Sequence, residues 1–374
     1  MKYYNLSKIL EMKCIYNVIF GMRSNGKTYA CLVHGLKEHY KNGSAIAYIR
    51  RYREDFVGKR GDQLFAALCA NNEIAKATEG KYDRVIYRAK RWYLAYFDNN
   101  KQEVIRAEQP FCYGFSLTEM EHDKSVSYPT IRTIIFDEFI TRQYYLNDEF
   151  VLFQNVLSTI IRDRNDATIF MLGNTVNKYC PYFKDMGLRH ITEMKAGSID
   201  IYKYPKNLKV AVEYCAEPKE LTTGKNSRPS DIYFAFDNPK LEMITGGSWE
   251  IDIYPHLPEK YTPKDIMFSY FIEFDQQLLQ ADIVAKQLDS GTPVCFTFIH
   301  VKTTPIKDPD HDILFTLVPS ARPNVFRNIL RPISDIDRKI SHFFKTYKVF
   351  YQDNEVGELV KNYMKVVQRE SLLT

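Results

Sequence analysis

Residues Gly21-Met22-Arg23-Ser24-Asn25-Gly26-Lys27-Thr28 match the pattern GxxxxGK[ST], and the chemistry of that pattern is the gripping of phosphate. Its glycines let the backbone wrap so that successive N–H groups face the oxyanions. The lysine ammonium meets β- and γ-phosphate oxygens, and the threonine hydroxyl is a ligand for Mg2+. The pattern needs a buried strand before it and a helix after it. Both are present: Cys14 to Phe20 (CIYNVIF) is a short apolar run, and TYACLVHGLKEHYK has helical periodicity that stops at Asn42-Gly43. ATP and Mg2+ are the cofactors these residues imply.

A second acidic element completes the chemistry. Ile134-Ile135-Phe136-Asp137-Glu138 is an apolar strand running into two carboxylates. A strand beside the P-loop would deliver Asp137 to the metal and Glu138 to the attacking water as general base. Gly173-Asn174-Thr175 ends the next apolar strand, ATIFMLG, where the Asn174 amide can touch the γ-phosphate or its water. Between these strands, Arg162 and Arg164 of IRDR close a helix over roughly 149–162. An arginine there can serve a neighbouring subunit's nucleotide or a surface ion pair, and the spacing does not choose.

The elements that must position these residues are strands alternating with helices, most strands apolar throughout. That is the mark of an α/β domain, a parallel sheet with helices on both faces. SAIAYIR (44–50) reads as a buried strand, and 84–97 with 104–115 as a hairpin or meander. We place the P-loop domain over 1–200, a proline-rich linker domain over 201–262, and a second globular α+β unit over 263–374. The last has strands near 267–274, 293–301 and 347–351 and a closing helix.

Bulk composition excludes several classes. With 45% hydrophobic and 26% charged residues the chain is an ordinary globular protein, and no apolar run approaches the ~20 residues of a membrane span. The opening MKYYNLSKILEMK is too polar for a signal peptide. Cys14, Cys31, Cys69, Cys112, Cys180, Cys215 and Cys295 show no CxxC spacing, which argues for buried thiols in a reducing cytoplasm. Net charge is only +5, but residues 1–110 hold 20 Lys/Arg against 11 Asp/Glu, much of it in RRYRED, GKR and RAKR (88–91).

Four stretches together resemble the DNA-packaging ATPases of phi-29-type short-tailed phages: IFGMRSNGKTYA, YIRRYRED, DKSVSYPTIRTIIFDEFI and IIRDRNDATIFMLGNTV. They cover about residues 15 to 185, and the lead-in to Asp137 is the most specific of them. The resemblance implies a P-loop ATPase of the division with a catalytic glutamate and an added central strand. It makes Arg162 the trans-acting finger, Lys124 a residue reaching across the subunit interface, and Arg50, Arg51 and Arg53 neighbours of the nucleotide. It also implies a homo-oligomeric ring, read as a pentamer, with double-stranded viral DNA in its channel. The portal and a structured packaging RNA would be its docking partners, in the host cytoplasm and transiently at the procapsid. The C-terminal unit resembles an RNase H-like nuclease that has lost its metal-binding acids. Glu273, Asp275, Asp282 and Asp289 crowd onto one strand and the expected helix after it, an arrangement unsuited to a two-metal site. The basic run Arg322, Arg327, Arg331, Arg338 and Lys339 is the expected RNA or portal contact. The competing functions are a helicase or conjugation-type DNA pump, a slow regulatory P-loop protein, and a packaging ATPase with a working nuclease.

Overall fold

The computed structural model describes residues 4–119, 126–142, 145–146, 148–216, 249, 252–257, 260–287, 291 and 293–370. The chain divides into two compact units, Met1–Glu250 and Ile251–Thr374.

The first unit opens with α1 (Ser7–Glu11), β1 (Tyr16–Gly21), α2 (Lys27–Asn42) and β2 (Ala45–Arg50). Three short helices follow, α3 (Lys59–Asp62), α4 (Ala66–Ala70) and α5 (Glu73–Ala77); the run Gly61 to Ala70, which suggests one short helix, holds the end of α3 and all of α4. Then come β3 (Arg84–Arg88), β4 (Arg91–Asp98), β5 (Glu103–Arg106), β6 (Cys112–Ser116), β7 (Ile131–Asp137), α6 (Glu149–Ile161), β8 (Thr168–Asn174), α7 (Pro181–Asp185), β9 (Ile199–Lys203) and β10 (Lys209–Tyr214). One sheet holds all ten strands in the order β3-β4-β6-β2-β7-β8-β1-β10-β9, with β5 paired to β4. Its centre, β6 to β10, is parallel; β3, β4, β5 and β9 run antiparallel at the margins.

Alternation on the central strands builds two cores. On β7, Ile134 and Phe136 join one cluster with Phe20, Phe153 and Tyr182, while Ile135 joins the other with Ile19, Leu36 and Trp92. Each such fully buried side chain contributes roughly 1.5–3 kcal/mol. Burial on both faces explains why these strands read as continuous apolar runs.

The expected boundary at 200 is not where the first unit ends. β10 pairs in parallel with β1, in register from Tyr16↔Val210 to Phe20↔Tyr214, so the span assigned to a linker supplies a strand beside the P-loop strand. The remainder of that span from 217 to 248, including TTGKNS and DIYFAF, lies outside the described residues.

The second unit is a six-stranded mixed sheet in the order β15-β14-β11-β12-β13-β16. β11 (Ile266–Phe274), β12 (Gln277–Gln287) and β13 (Pro293–Val301) form an antiparallel meander. β14 (Leu314–Thr316) and β15 (Val325–Phe326) extend it in parallel from β11, and β16 (Val349–Tyr351) runs parallel to β13. α8 (Asp335–Lys345) starts on a capping box between Ser334 and Asp337. α9 (Asn354–Glu370) packs on β11, β13 and β16.

The stretch after β11 is thus a strand, not the expected helix, and it sets Asp282 opposite Ser269. Asp282 accepts from Ser269 Oγ at 2.7 Å, Gln280 Nε2 at 2.8 Å and Tyr261 OH at 2.9 Å, with His300 Nε2 at 3.3 Å. Glu273 accepts from Thr316, and Asp289 lies outside the described residues. Among the described residues no three His, Cys, Asp or Glu side chains are placed to share a metal ion.

The hydrogen bond to Asp282 raises the His300 pKa. Burial opposes the Asp282 charge, but its donors, His300 first, outweigh that and hold the carboxyl well below the usual carboxylate range. A histidine raised by folding stabilises fully below its unfolded pKa of about 6.5, and the contribution is lost as pH rises through the folded value. The melting transition of the second unit is therefore expected to fall as pH goes from about 6 to about 8.5. The His300→Gln variant should flatten that slope; an equal slope in both proteins would remove the pair as its source.

Candidate nucleotide site

The P-loop turns from β1 into α2, as the motif requires. Gly26 sits at φ +93°, where a side chain would be strained, and α2 begins at Lys27. Met22 and Asn25 are buried, whereas Arg23 and Ser24 stand exposed at the crest of the loop. Lys27 Nζ lies 2.8 Å from the Met22 carbonyl, 3.2 Å from Asn25 Oδ1, 3.2 Å from Asn174 Oδ1 and 3.4 Å from the Gly21 carbonyl. An ammonium has three protons for these four oxygens, so phosphate oxygens can replace the longer contacts. Burial lowers the Lys27 pKa, an effect opposed by Asp137 among its neighbours.

Parallel pairing of β1 with β8 sets Gly21 beside Asn174, and β7 pairs with β8 to bring Asp137 beside Leu172. All three chain ends therefore reach the carboxyl edge of the sheet together. Thr28 Oγ1 donates to Asp137 Oδ2 at 3.0 Å. Tyr48 OH donates to the same oxygen at 2.8 Å. Burial raises the Asp137 pKa; Arg50, with Nη1 4.0 Å from the carboxylate, is the largest opposing influence. Two oxygen donors this close suit a hard cation such as Mg2+, and Thr28 and Asp137 are the residues that would hold it.

Glu138 has a left-handed backbone, φ +59°, which turns its carboxylate away from the strand axis. Its Oε2 accepts from Arg50 Nη2 at 2.7 Å, and Arg50 Nε lies 3.3 Å from Asp55. Arg50 is thus held between three carboxylates at the mouth of the site. Gly173 is required by crowding, since a Cβ there would come within 2.6 Å of Ile140.

Arg51 has a different role from the expected nucleotide neighbour. It is buried, with Nε and Nη2 donating to Glu149 at 2.8 Å each and further bonds to the carbonyls of Glu138 at 3.2 Å and Phe139 at 2.9 Å. Four of its five N–H donors are committed to the protein, so the residue fixes the turn after Asp137. Glu149, the first residue of α6, also accepts from Tyr182 OH and the Leu146 amide. Arg53 is exposed and pairs with Glu119 at 3.2 Å. Lys124 lies outside the described residues.

The two arginines after α6 separate clearly. Arg164 donates to the carbonyls of Tyr128, Pro129, Ile131 and Ile160 and to Asp166. Arg162 is exposed, with one bond to the Val126 carbonyl at 3.0 Å and a strained φ of +51°. Of the basic run in the second unit, Arg322 and Arg338 are engaged with Asp310 and Asp335. Sequence reasoning missed Tyr48 and Glu149. A tyrosine inside the aliphatic run AIAYIR and a glutamate opening a helix were the available signals.

Strand, phosphate loop, helix, and a parallel strand delivering Asp-Glu beside that loop define a P-loop nucleotide-binding domain. Residues 1–195 match the family model of the podovirus DNA encapsidation protein (Gp16), more than half of the chain, and the chain belongs to that family. It is 27% identical over 184 residues to the DNA packaging protein of Bacillus phage phi29, covering 48% of this chain and 49% of that one. With the DNA packaging protein of Bacillus phage B103 it shares 29% identity over 190 residues, covering 48% and 50%. The match thus spans about half the length of these curated relatives. The fold is shared with a solved chain of the bacteriophage Phi-29 viral genome packaging motor assembly, at a TM-score of 0.54 and 18% identity over 98% of each chain. It is also shared with the Phi-28 gp11 DNA packaging motor, at a TM-score of 0.51 and 16% identity over 98% of this chain and 97% of that one.

The buried pair makes a stability prediction. Arg51→Ala leaves Glu149 charged and dehydrated, and should cost roughly 3–5 kcal/mol in urea unfolding. Arg53→Ala removes an exposed pair and should cost less than about 1 kcal/mol. Similar losses in both variants would mean that the two pairs are equivalent.

Proposed function

We propose that this chain is an ATP-driven motor that moves double-stranded viral DNA into a phage procapsid, hydrolysing ATP at sites shared between neighbouring subunits of a ring. In each site Lys27 and the loop amides hold the β- and γ-phosphates. Bound Mg2+, held through Thr28 and Asp137, would neutralise charge on those phosphates. Glu138, once released from Arg50, accepts a proton from the attacking water, while Asn174 contacts the γ-phosphate or that water. The portal and a structured RNA are the docking partners this reading implies, in the host cytoplasm and only transiently at the portal vertex, with no place in the mature virion.

The observation that carries the shared site is the length of α6. Its first residue, Glu149, is tied through Arg51 to the Glu138 carbonyl. Thirteen helical residues later comes Arg162, about 20 Å away at 1.5 Å per residue. No arginine side chain spans that gap, so a role for Arg162 in hydrolysis requires a second copy of the chain. Arg162 is also the member of the pair with donors to spare.

A procapsid packaging assay with parallel ATPase measurements tests this reading. Glu138→Gln and Arg162→Ala should each retain nucleotide binding and lose packaging, with hydrolysis down by about 10³-fold or more. Normal hydrolysis by the Arg162 variant would end its trans assignment. Strand displacement without procapsids would favour a helicase-type pump, and weak hydrolysis indifferent to DNA and to Glu138→Gln a regulatory protein. Mn2+-dependent plasmid cleavage would restore a nuclease role to the second unit.

A further inference from the structure

The β3–β4–β5 margin of the first sheet has two unlike faces. One carries Val85, Tyr87, Trp92 and Leu94 into the core beneath α3 to α5. The cross-strand pairs Arg84↔Ala95, Arg88↔Arg91 and Ala95↔Arg106 put four arginines together on the other. Arg91 is opposite Tyr113, so the β6 edge continues the same face. The acids of these strands, Asp98 and Glu103, pair with each other on the core side. Asp83, just ahead of β3, engages Arg84. Arg88, Arg91 and Arg106 are exposed, and among the described residues no carboxylate pairs with them.

Two of the guanidinium groups lie over aromatic rings: Arg106 is 4.3 Å from the Tyr93 ring centroid and Arg84 is 5.6 Å from that of Phe97. The stacking orders long side chains before any partner arrives; Arg84 also donates to Asp83, whereas Arg106 has no carboxylate partner among the described residues. Of the two rings, Phe97 remains exposed and Tyr93 is covered. Tyr93 is only 7% exposed, so it offers no open face on which an unpaired base could stack.

We infer that the outer face of β3, β4 and β5 is a docking surface for the phosphate backbone of duplex DNA. Charge decides the class of partner: a face whose strand charges are all arginines, on the most basic part of the chain, fits a polyanion better than a second, equally basic copy. The covered Tyr93 ring, at the middle of the face, favours a duplex over a single strand. Arg106 stands opposite Ala95, which is four strand residues from Arg91, about 13 Å along the strand, close to the ~12 Å width of a major groove. Arg91 and Arg106 can therefore touch phosphates on either side of one groove. The inference names a contact for the DNA in the proposed motor and so rests on that reading.

The test compares the full-length protein with an Arg88→Gln/Arg91→Gln/Arg106→Gln variant. Both are titrated with a short DNA duplex of arbitrary sequence over a range of salt, with fluorescence anisotropy as the readout. Loss of three phosphate contacts should shrink the slope of log affinity against log salt by about 2.7, and weaken binding at least tenfold near physiological salt. ATP hydrolysis without DNA should be unchanged, because none of the three approaches the nucleotide. Replacing the same residues by lysine should return most of the salt slope. Unchanged duplex binding overturns the inference, and leaves the motor reading standing if the Glu138 and Arg162 variants fail as expected. Weakened binding to an RNA duplex or a single strand, with DNA duplex binding intact, overturns it as well. So does a loss of self-association in sedimentation with DNA binding preserved.

Discussion

The buried ion pair between Arg51 and Glu149 is the constraint on which the catalytic edge depends. Two charges are removed from water at a cost of several kcal/mol each, and the cost is offset by the bidentate geometry and by further hydrogen bonds to both partners. The pair joins three places that sequence keeps far apart: the exit of β2, the turn after β7 and the first turn of α6. With those fixed, Glu138 can adopt its left-handed conformation, and α6 departs in a set direction. A weaker surface pair could not hold that turn, since exposed pairs are worth about 1 kcal/mol or less.

Around Asp137 the design is one of crowded polarity. Thr28 and Tyr48 both donate to one carboxylate oxygen, and Arg50 stands between Asp137, Glu138 and Asp55. Each neighbour restrains a side chain that must be in place before phosphate arrives, so little reorganisation is left for the reaction itself. Arg50 is the exception. Under the proposed mechanism its contact with Glu138 would compete with any water the glutamate polarises, so that contact would have to break in each turnover. The arginine that orients the acid also keeps it occupied.

What could be read from sequence was what depends on local spacing. GxxxxGKT, the apolar strand before Asp137-Glu138 and the asparagine ending β8 lie where their spacing predicts, because parallel strands with the same polarity bring all their carboxyl ends to one edge. Arg51 could not be told from Arg50, because the difference is which way alternate strand residues point and what they meet 98 positions later. Arg162 and Arg164 differ in the backbone carbonyls they reach, in exposure and in the pairing of Arg164 with Asp166, none of which the spacing shows. The strand Gln277–Gln287 has a mixed polar and apolar pattern that suits a helix as well, and pairing on both edges settled it. Prolines flanking 209–214 suggested a linker, yet KVAVEY is an alternating strand that found its place beside β1.

That last strand has a mechanical consequence. Cys215, immediately after β10, donates its amide to the Phe20 carbonyl, and its Cβ lies so near Gly21 that a side chain there would come within 2.9 Å. Tension applied to β10 at its carboxyl end would load the β1–β10 ladder along the strand axis, as shear, with five residue pairs sharing the force. The strand that bears the load is the one that ends in the phosphate loop.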